Sequence, residues 1–196
     1  MAGITKAHIQ LGDSATATNN FMLTAQAADG TMKLARGNNG ATTQDVLTVS
    51  ASGVVKLPSN LVAFSAYQSV VQSVTLNVTT KVIFQTKDFD TTNAFDSTTN
   101  YRFTPQVAGY YQINAGVGFT GVDNIISIYI YKNGASWRQG GYIAASTTGP
   151  IVTMSSLVFL NGTTDYIEIF TITGTTLNTT ATQLATWVNG YLVGAS

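Results

Sequence analysis

After Pro58, apolar and polar residues alternate with a period of two, the spacing of a strand that turns one face to a core. Val74, Leu76 and Val78 begin the pattern. Tyr111, Ile113, Ala115, Val117 and Phe119 extend it, followed by Ile126, Ile128 and Ile130 and by Ile167 and Ile169. These positions predict core faces, and the Asn133-Gly134 and Asn161-Gly162 pairs predict turns between strands. No segment sustains a helical period, so the expected fold is an all-β sandwich. The opposite face of IISIYIYK carries Ser127, Tyr129 and Tyr131. Tyr110 also stands opposite the core face of its strand, and one face of WVNGYLV carries Trp187 and Tyr191. Amphipathic rings gathered on outward faces suit subunit contacts, which predicts an interface at Tyr110, Tyr129, Tyr131, Trp187 and Tyr191.

The chain before Pro58 reads differently. LTAQAADGTMKL (Leu23 to Leu34) and LTVSASGVVKL (Leu47 to Leu57) form a weak internal repeat, the second copy one residue shorter. Each predicts a β-hairpin, with Asp29-Gly30 and Ser52-Gly53 at the turns. Pro58 cannot donate a ladder hydrogen bond and restricts its neighbour, which places a boundary in LPSN (Leu57 to Asn60). The expected organisation is a hairpin segment over residues 1–58 and a larger domain over 62–196. Two small hairpins bury little on their own, so the first part is expected to gain order from an oligomer or a larger surface.

Composition narrows the chemistry. The hydrophobic fraction of 44% is that of a globular chain, whereas only 9% of residues are charged, so Thr, Ser, Asn and Gly make the polar faces. Nine basic and nine acidic residues cancel, which leaves no electrostatic footprint for nucleic acid or an anionic membrane. The absence of cysteine removes disulfides, thiolate nucleophiles and cysteine-ligated metals. No apolar run reaches the length of a signal peptide or a membrane span, so synthesis and folding in the cytoplasm are expected. The sequons at Asn77, Asn161 and Asn178 are the chance matches that an Asn- and Thr-rich chain produces.

Gly116, Gly118 and Gly121 spell G-x-G-x-x-G, but another strand pattern follows, and no helix N-terminus is available for a phosphate. The glycines are better read as relieving crowding on a curved strand. His8 is the only histidine and Glu168 the only glutamate; Glu168 alternates with Ile167 and Ile169 and is expected to face away from the core. No acid–base constellation, cofactor or metal is expected. Asp88, Asp90 and Asp96 in KDFDTTNAFD are the oxygen-rich set that calcium could use, but the D-x-D-x-D-G loop and bidentate glutamate are missing, and turn formation is the default.

The segments FSAYQSVVQSVTLNVTTKVIFQTKDFDTTNAFD, YRFTPQVAGYYQINAGVGFTG, IYIYKNG, SSLVFLNGTTDYIEIF and WVNGYLV occur in an order that resembles the globular head of complement component 1q, which shares a jelly-roll fold with the tumour-necrosis-factor family. The resemblance spans about residues 62–196. It implies a jelly-roll β-sandwich, a homotrimer, and a binding or structural head without enzymatic activity. HIQLGDSATATNNFMLTA and DGTMKLARGNNGATTQDVLTV resemble N-terminal segments of tailed-bacteriophage virion proteins. Together the two resemblances imply a trimeric virion-surface protein, either a capsid decoration or cement protein or short head fibre, or a receptor-binding tail-fibre tip that holds host glycan. With no shaft or heptads in the chain, decoration is the first expectation. Lys6, His8, Lys33, Arg36 and Lys56 are then the candidate contacts with a capsid or other virion protein.

Overall fold

Every regular element is a β-strand in the computed structural model, which describes residues 6–12, 15–16, 20–26, 30–38, 41–56, 62–121, 123–145 and 149–196. The chain divides into two units, residues 1–60 and 61–196. Pro58 and Asp29, on which the boundary and first-turn expectations rest, lie outside the described residues.

The first unit contains β1 (Lys6–Leu11), β2 (Phe21–Gln26), β3 (Thr31–Asn38), β4 (Ala41–Val49) and β5 (Val55–Lys56). β2 pairs with β3 and β4 with β5, as the repeat predicts. β1 also pairs with β2 and β3 with β4, so the two hairpins belong to one antiparallel five-stranded sheet. Among its described residues the buried hydrophobic side chains are Met22 and Ala35, which face each other across β2 and β3. Leu23, Met32, Val54 and Val55 remain exposed.

The second unit folds as two sheets. Its strands are β6 (Ala63–Tyr67), β7 (Ser73–Val74), β8 (Thr80–Lys81), β9 (Thr86–Asp90), β10 (Phe95–Asp96), β11 (Arg102–Phe103), β12 (Gly109–Gly118), β13 (Asp123–Lys132), β14 (Ala135–Ala145), β15 (Ile151–Leu160), β16 (Ile167–Thr173), β17 (Leu177–Asn178) and β18 (Trp187–Ala195). One sheet runs β15-β12-β18-β6-β9; the other runs β10-β11-β16-β13-β14, with β8 beside β16. β7 and β17 form a separate pair. All pairings are antiparallel, and the first sheet sets the chain's last strand between β12 and β6.

Alternation dictates the core. Tyr111, Ile113, Ala115 and Val117 of β12 face Ile126, Ile128 and Ile130 of β13 and Ile167 and Ile169 of β16, all buried. An aromatic cluster closes one end: Phe64 of β6 stacks on Phe103 of β11 at 4.3 Å and on Phe95 of β10 at 5.0 Å, and Phe103 meets Tyr111 edge-on at 5.4 Å. The Tyr111 hydroxyl donates to Val107 O at 2.7 Å, and burial pushes its pKa up to about 12. Gly118 passes close under Ala185, where an added Cβ would come within 2.8 Å of the alanine Cβ. The glycine motif therefore provides room for strand packing, as its sequence context indicates.

One core expectation is corrected. Val74 is buried, but Leu76 and Val78 are about half exposed. Residues after Val74 turn instead of continuing a strand: Asn77 adopts φ 56°, and Val78 N donates to Thr75 O. Glu168 does face away from the sandwich core, yet it is only 8% exposed, because Lys81 of β8 covers it with a 2.6 Å ion pair. Burying a carboxylate there requires the paired ammonium.

Phe103→Ala should remove ring contacts on both sheets and lower stability by about 3–5 kcal/mol. Val70→Ala, at a site 61% exposed, should change it little. Urea unfolding of the two variants beside the wild type measures the contrast.

Candidate functional site

The outward face of the β15-β12-β18-β6-β9 sheet carries side chains that alternation directs away from the core. Tyr110 of β12 and Phe159 of β15 are register partners with rings 5.5 Å apart, edge to face. One row further, Leu157, Gln112, Tyr191 and Ala63 align across four strands. Tyr110, Leu157 and Tyr191 are each about 50% exposed, so this apolar surface has no cover within the unit. The next row is polar. Ser155 Oγ donates to Asn114 Oδ1 at 2.8 Å, Asn114 Nδ2 donates to Asn189 Oδ1 at 3.0 Å, and Gln112 Nε2 donates to Ser155 Oγ at 2.8 Å. Trp187 stands beyond that row, its indole lying on Gly116, where any Cβ would come within 3.0 Å of the ring.

Tyr129 and Tyr131 lie on the opposite sheet. Tyr131 stacks on Phe170 of β16 at 4.0 Å, and both tyrosines are only partly exposed. The five tyrosine and tryptophan positions named from sequence thus split between two faces of the sandwich: Tyr110, Trp187 and Tyr191 on one, Tyr129 and Tyr131 on the other. Period-two alternation distinguishes core from outward, but it does not say which sheet a strand joins. Leu157 and Phe159 complete the apolar surface and went unnamed. Their signal was present in the alternation of SSLVFL, where Val158 and Leu160 take the core.

The three aspartates do not converge. Asp88 accepts from Ser65 Oγ at 2.8 Å and Gln183 Nε2 at 2.7 Å. Asp90 accepts from Ala94 N and Phe95 N and pairs with Lys87 at 3.3 Å. Asp96 accepts from Thr98 N, Thr98 Oγ1, Thr99 N, Asn100 N and Asn100 Nδ2. Those hydrogen bonds, led by that from Thr99 N, hold its carboxyl well below the usual aspartate range. Among the described residues no group of three such side chains is placed to hold a metal ion. Asp90 and Asp96 hold their own loops through backbone N–H donors, as the turn-forming default expects, whereas Asp88 on β9 is tied to Ser65 and Gln183.

A cleft of about 560 Å³ opens between the Asp90 and Asp96 loops, lined by Lys87, Asn93, Asp96, Asn100, Arg102 and Thr163 among others. The turn bearing Thr163 is fixed by Asp165, which accepts from Asn133 Nδ2 at 2.7 Å and pairs with Lys132 at 2.9 Å. Asn133 and Gly134 have φ of 54° and 77°, the left-handed pair of a tight hairpin. The two turns predicted from sequence therefore meet at one end of the sandwich.

No protein-family model matches the sequence, and none of the curated proteins matches it either. Solved structures do match. The globular domain of zebrafish complement 1qA protein is 17% identical with a TM-score of 0.51, covering 69% of this chain and 99% of that one. Murine APRIL at pH 5.0 is 11% identical with a TM-score of 0.55, covering 67% and 98%. Eiger TNF from S. frugiperda is 9% identical with a TM-score of 0.55, covering 70% and 95%. The fold is a complement-1q-like jelly roll. Coverage of about two thirds of the chain corresponds in size to the jelly-roll unit alone.

The sheet that precedes the jelly roll also has two distinct faces. Register pairs His8 with Thr24, Thr24 with Lys33, Lys33 with Thr48 and Thr48 with Lys56 across the five strands. Lys33 pairs with Asp45 at 3.0 Å. Arg36 belongs to the other face, its guanidinium 5.6 Å from the Phe21 ring centroid. Leu23, Leu34 and Leu47 form a row on that face, with Met32, Val49 and Val55 in the next. Of the docking candidates with described side chains, Lys33 and Arg36 lie on opposite faces, and Arg36 joins an aliphatic surface that sequence reasoning did not single out.

Folding lowers the Asp96 pKa, so the unfolded chain binds more protons in the acid range. Its stabilising contribution is complete above the ordinary aspartate value of about 3.9 and is lost as pH falls below it towards the folded value. Asp96→Asn should lower the melting temperature at pH 7, and the gap to wild type should close towards pH 2. Thermal melts across that range check the sign.

Proposed function

We propose that the protein is a non-enzymatic structural component of a tailed-phage virion, in which the jelly roll self-associates as a trimer and the preceding sheet attaches to the particle. The observation that carries the reading is the uncovered surface of Tyr110, Leu157, Phe159 and Tyr191, since contiguous apolar area of this kind marks an association site. The amide and hydroxyl row beside it is bonded to itself along the sheet, which holds a polar border next to the apolar surface. A count of three follows from the complement-1q resemblance. Tyr129 and Tyr131, on the other sheet, lie outside the proposed interface.

Attachment through the first unit is supported by its thin core and exposed aliphatic face, which leave apolar surface for a partner to cover. A catalytic role is disfavoured because the one carboxylate lining the large cleft, Asp96, is consumed by its own loop. Decoration of the capsid is the favoured position; the resemblance of the N-terminal segment to virion proteins supports attachment to a particle.

Light scattering at micromolar concentration should report three chains for the wild type. Tyr191→Lys should reduce that to one, because an unpaired ammonium would be buried at the interface, while Tyr129→Lys should leave three. A wild-type monomer would remove the trimer.

Virions lacking the protein should lose heat tolerance yet adsorb normally, since a partner that binds only the assembled shell stabilises it by linkage. If the purified protein blocks adsorption and never binds capsids, the receptor-binding tip replaces decoration.

A further inference from the structure

The cleft beside Arg102 has a cation whose natural partner is already used. Arg102 and Asp96 are register partners on β11 and β10, the cross-strand arrangement in which an ion pair is expected. The Asp96 carboxylate instead turns into residues 98–100, where five donors occupy it. The Arg102 guanidinium lies over the Tyr166 ring at 4.1 Å and makes no hydrogen bond or ion pair among the described residues. Stacking uses the flat face of the guanidinium and leaves its in-plane N–H donors for a planar acceptor. The other cation of the cleft differs: Lys87 is held by Asp90, by Asn93 Oδ1 at 3.1 Å and by Phe95 O at 3.4 Å.

The walls are formed before any ligand arrives. Asp90 and Asp96 each gather a loop around a carboxylate, and Asp165 fixes the turn bearing Thr163. Such preorganisation lowers the ordering cost of binding. At about 560 Å³ the space exceeds what a simple anion needs and falls within the range of small-ligand pockets. Apart from the charges, it is lined mostly by hydroxyls and amides; those of Thr98 and Asn100 donate to Asp96, which leaves Asn93, Gln106 and Thr163 facing the space. These groups match a polyhydroxyl ligand, and the unpaired guanidinium matches a carboxylate, for which bidentate charge-assisted bonds are the strong arrangement.

We propose that this cleft binds a saccharide bearing a carboxylate, with Arg102 as the partner of that carboxylate and the surrounding amides and hydroxyls holding the ring hydroxyls. None of the residues named here belongs to the aromatic association face, so the site does not depend on trimer formation or on the protein's position in a virion.

Calorimetric titration of the full chain with N-acetylneuraminic acid and with glucuronic acid, alongside galactose and acetate, tests the inference. At least one acidic sugar should bind at least about tenfold more tightly than either control. Arg102→Gln should weaken that binding by about tenfold or more. Thr163→Trp, on the exposed turn at the cleft wall, should block it while leaving Arg102 and Tyr166 in place. Unchanged melting temperatures in the two variants separate loss of binding from loss of fold. Equal affinity for galactose would overturn the carboxylate assignment, and equal affinity for acetate would reduce the cleft to a simple anion site. No binding of either acidic sugar, or wild-type affinity in the Thr163→Trp variant, would overturn the site itself.

Discussion

The stack of Phe64 on Phe103 joins the two sheets of the jelly roll, and the surfaces on either side depend on it. Phe64 belongs to the sheet that exposes Tyr110 and Tyr191, whereas Phe103 lies next to Arg102 on the short strand at the cleft. With Phe95 and Tyr111 the rings form a continuous apolar contact between layers, the non-directional attraction that holds a sandwich closed. Because residue 103 points into this cluster, alternation turns residue 102 the other way, to the cleft. One packing contact thereby fixes the direction of a candidate ligand-binding cation.

Carboxylates take a second structural role in a chain with few charges. Asp90, Asp96 and Asp165 each accept backbone N–H groups that a surface loop would otherwise leave to water. Lys87 and Lys132 complete two of these sites by pairing with Asp90 and Asp165. Asp96 is instead filled by five donors of residues 98–100, which leaves Arg102 available. Thus the loops are shaped by electrostatics even though the formal net charge is zero.

The outward face of the β15-β12-β18-β6-β9 sheet combines two kinds of surface. Tyr110, Leu157, Phe159 and Tyr191 offer area, which gives affinity without orientation. Ser155, Asn114 and Asn189 bond to one another along the sheet and form a fixed polar border beside them. The sheet of the first unit makes a comparable division between faces, with Leu23, Leu34 and Leu47 opposite Lys33 and Thr48.

Alternation by itself determined the all-β class and the buried sets on β12, β13 and β16, and the repeat and turn residues determined the two N-terminal hairpins and the turn at Asn133-Gly134, because each follows from neighbours along the chain. Alternation misassigned Leu76 and Val78, where a local turn at Asn77 overrides a pattern too short to resist it. It also could not divide the outward aromatics, since a period of two marks a face without naming the sheet. That Tyr129 lies apart from Tyr110, that Lys81 covers Glu168, and that Asp96 folds into its own loop instead of meeting Arg102 are outcomes of strand order and loop closure. Only the tertiary structure decides these, because they join residues through space whose separation along the chain carries no periodic signal.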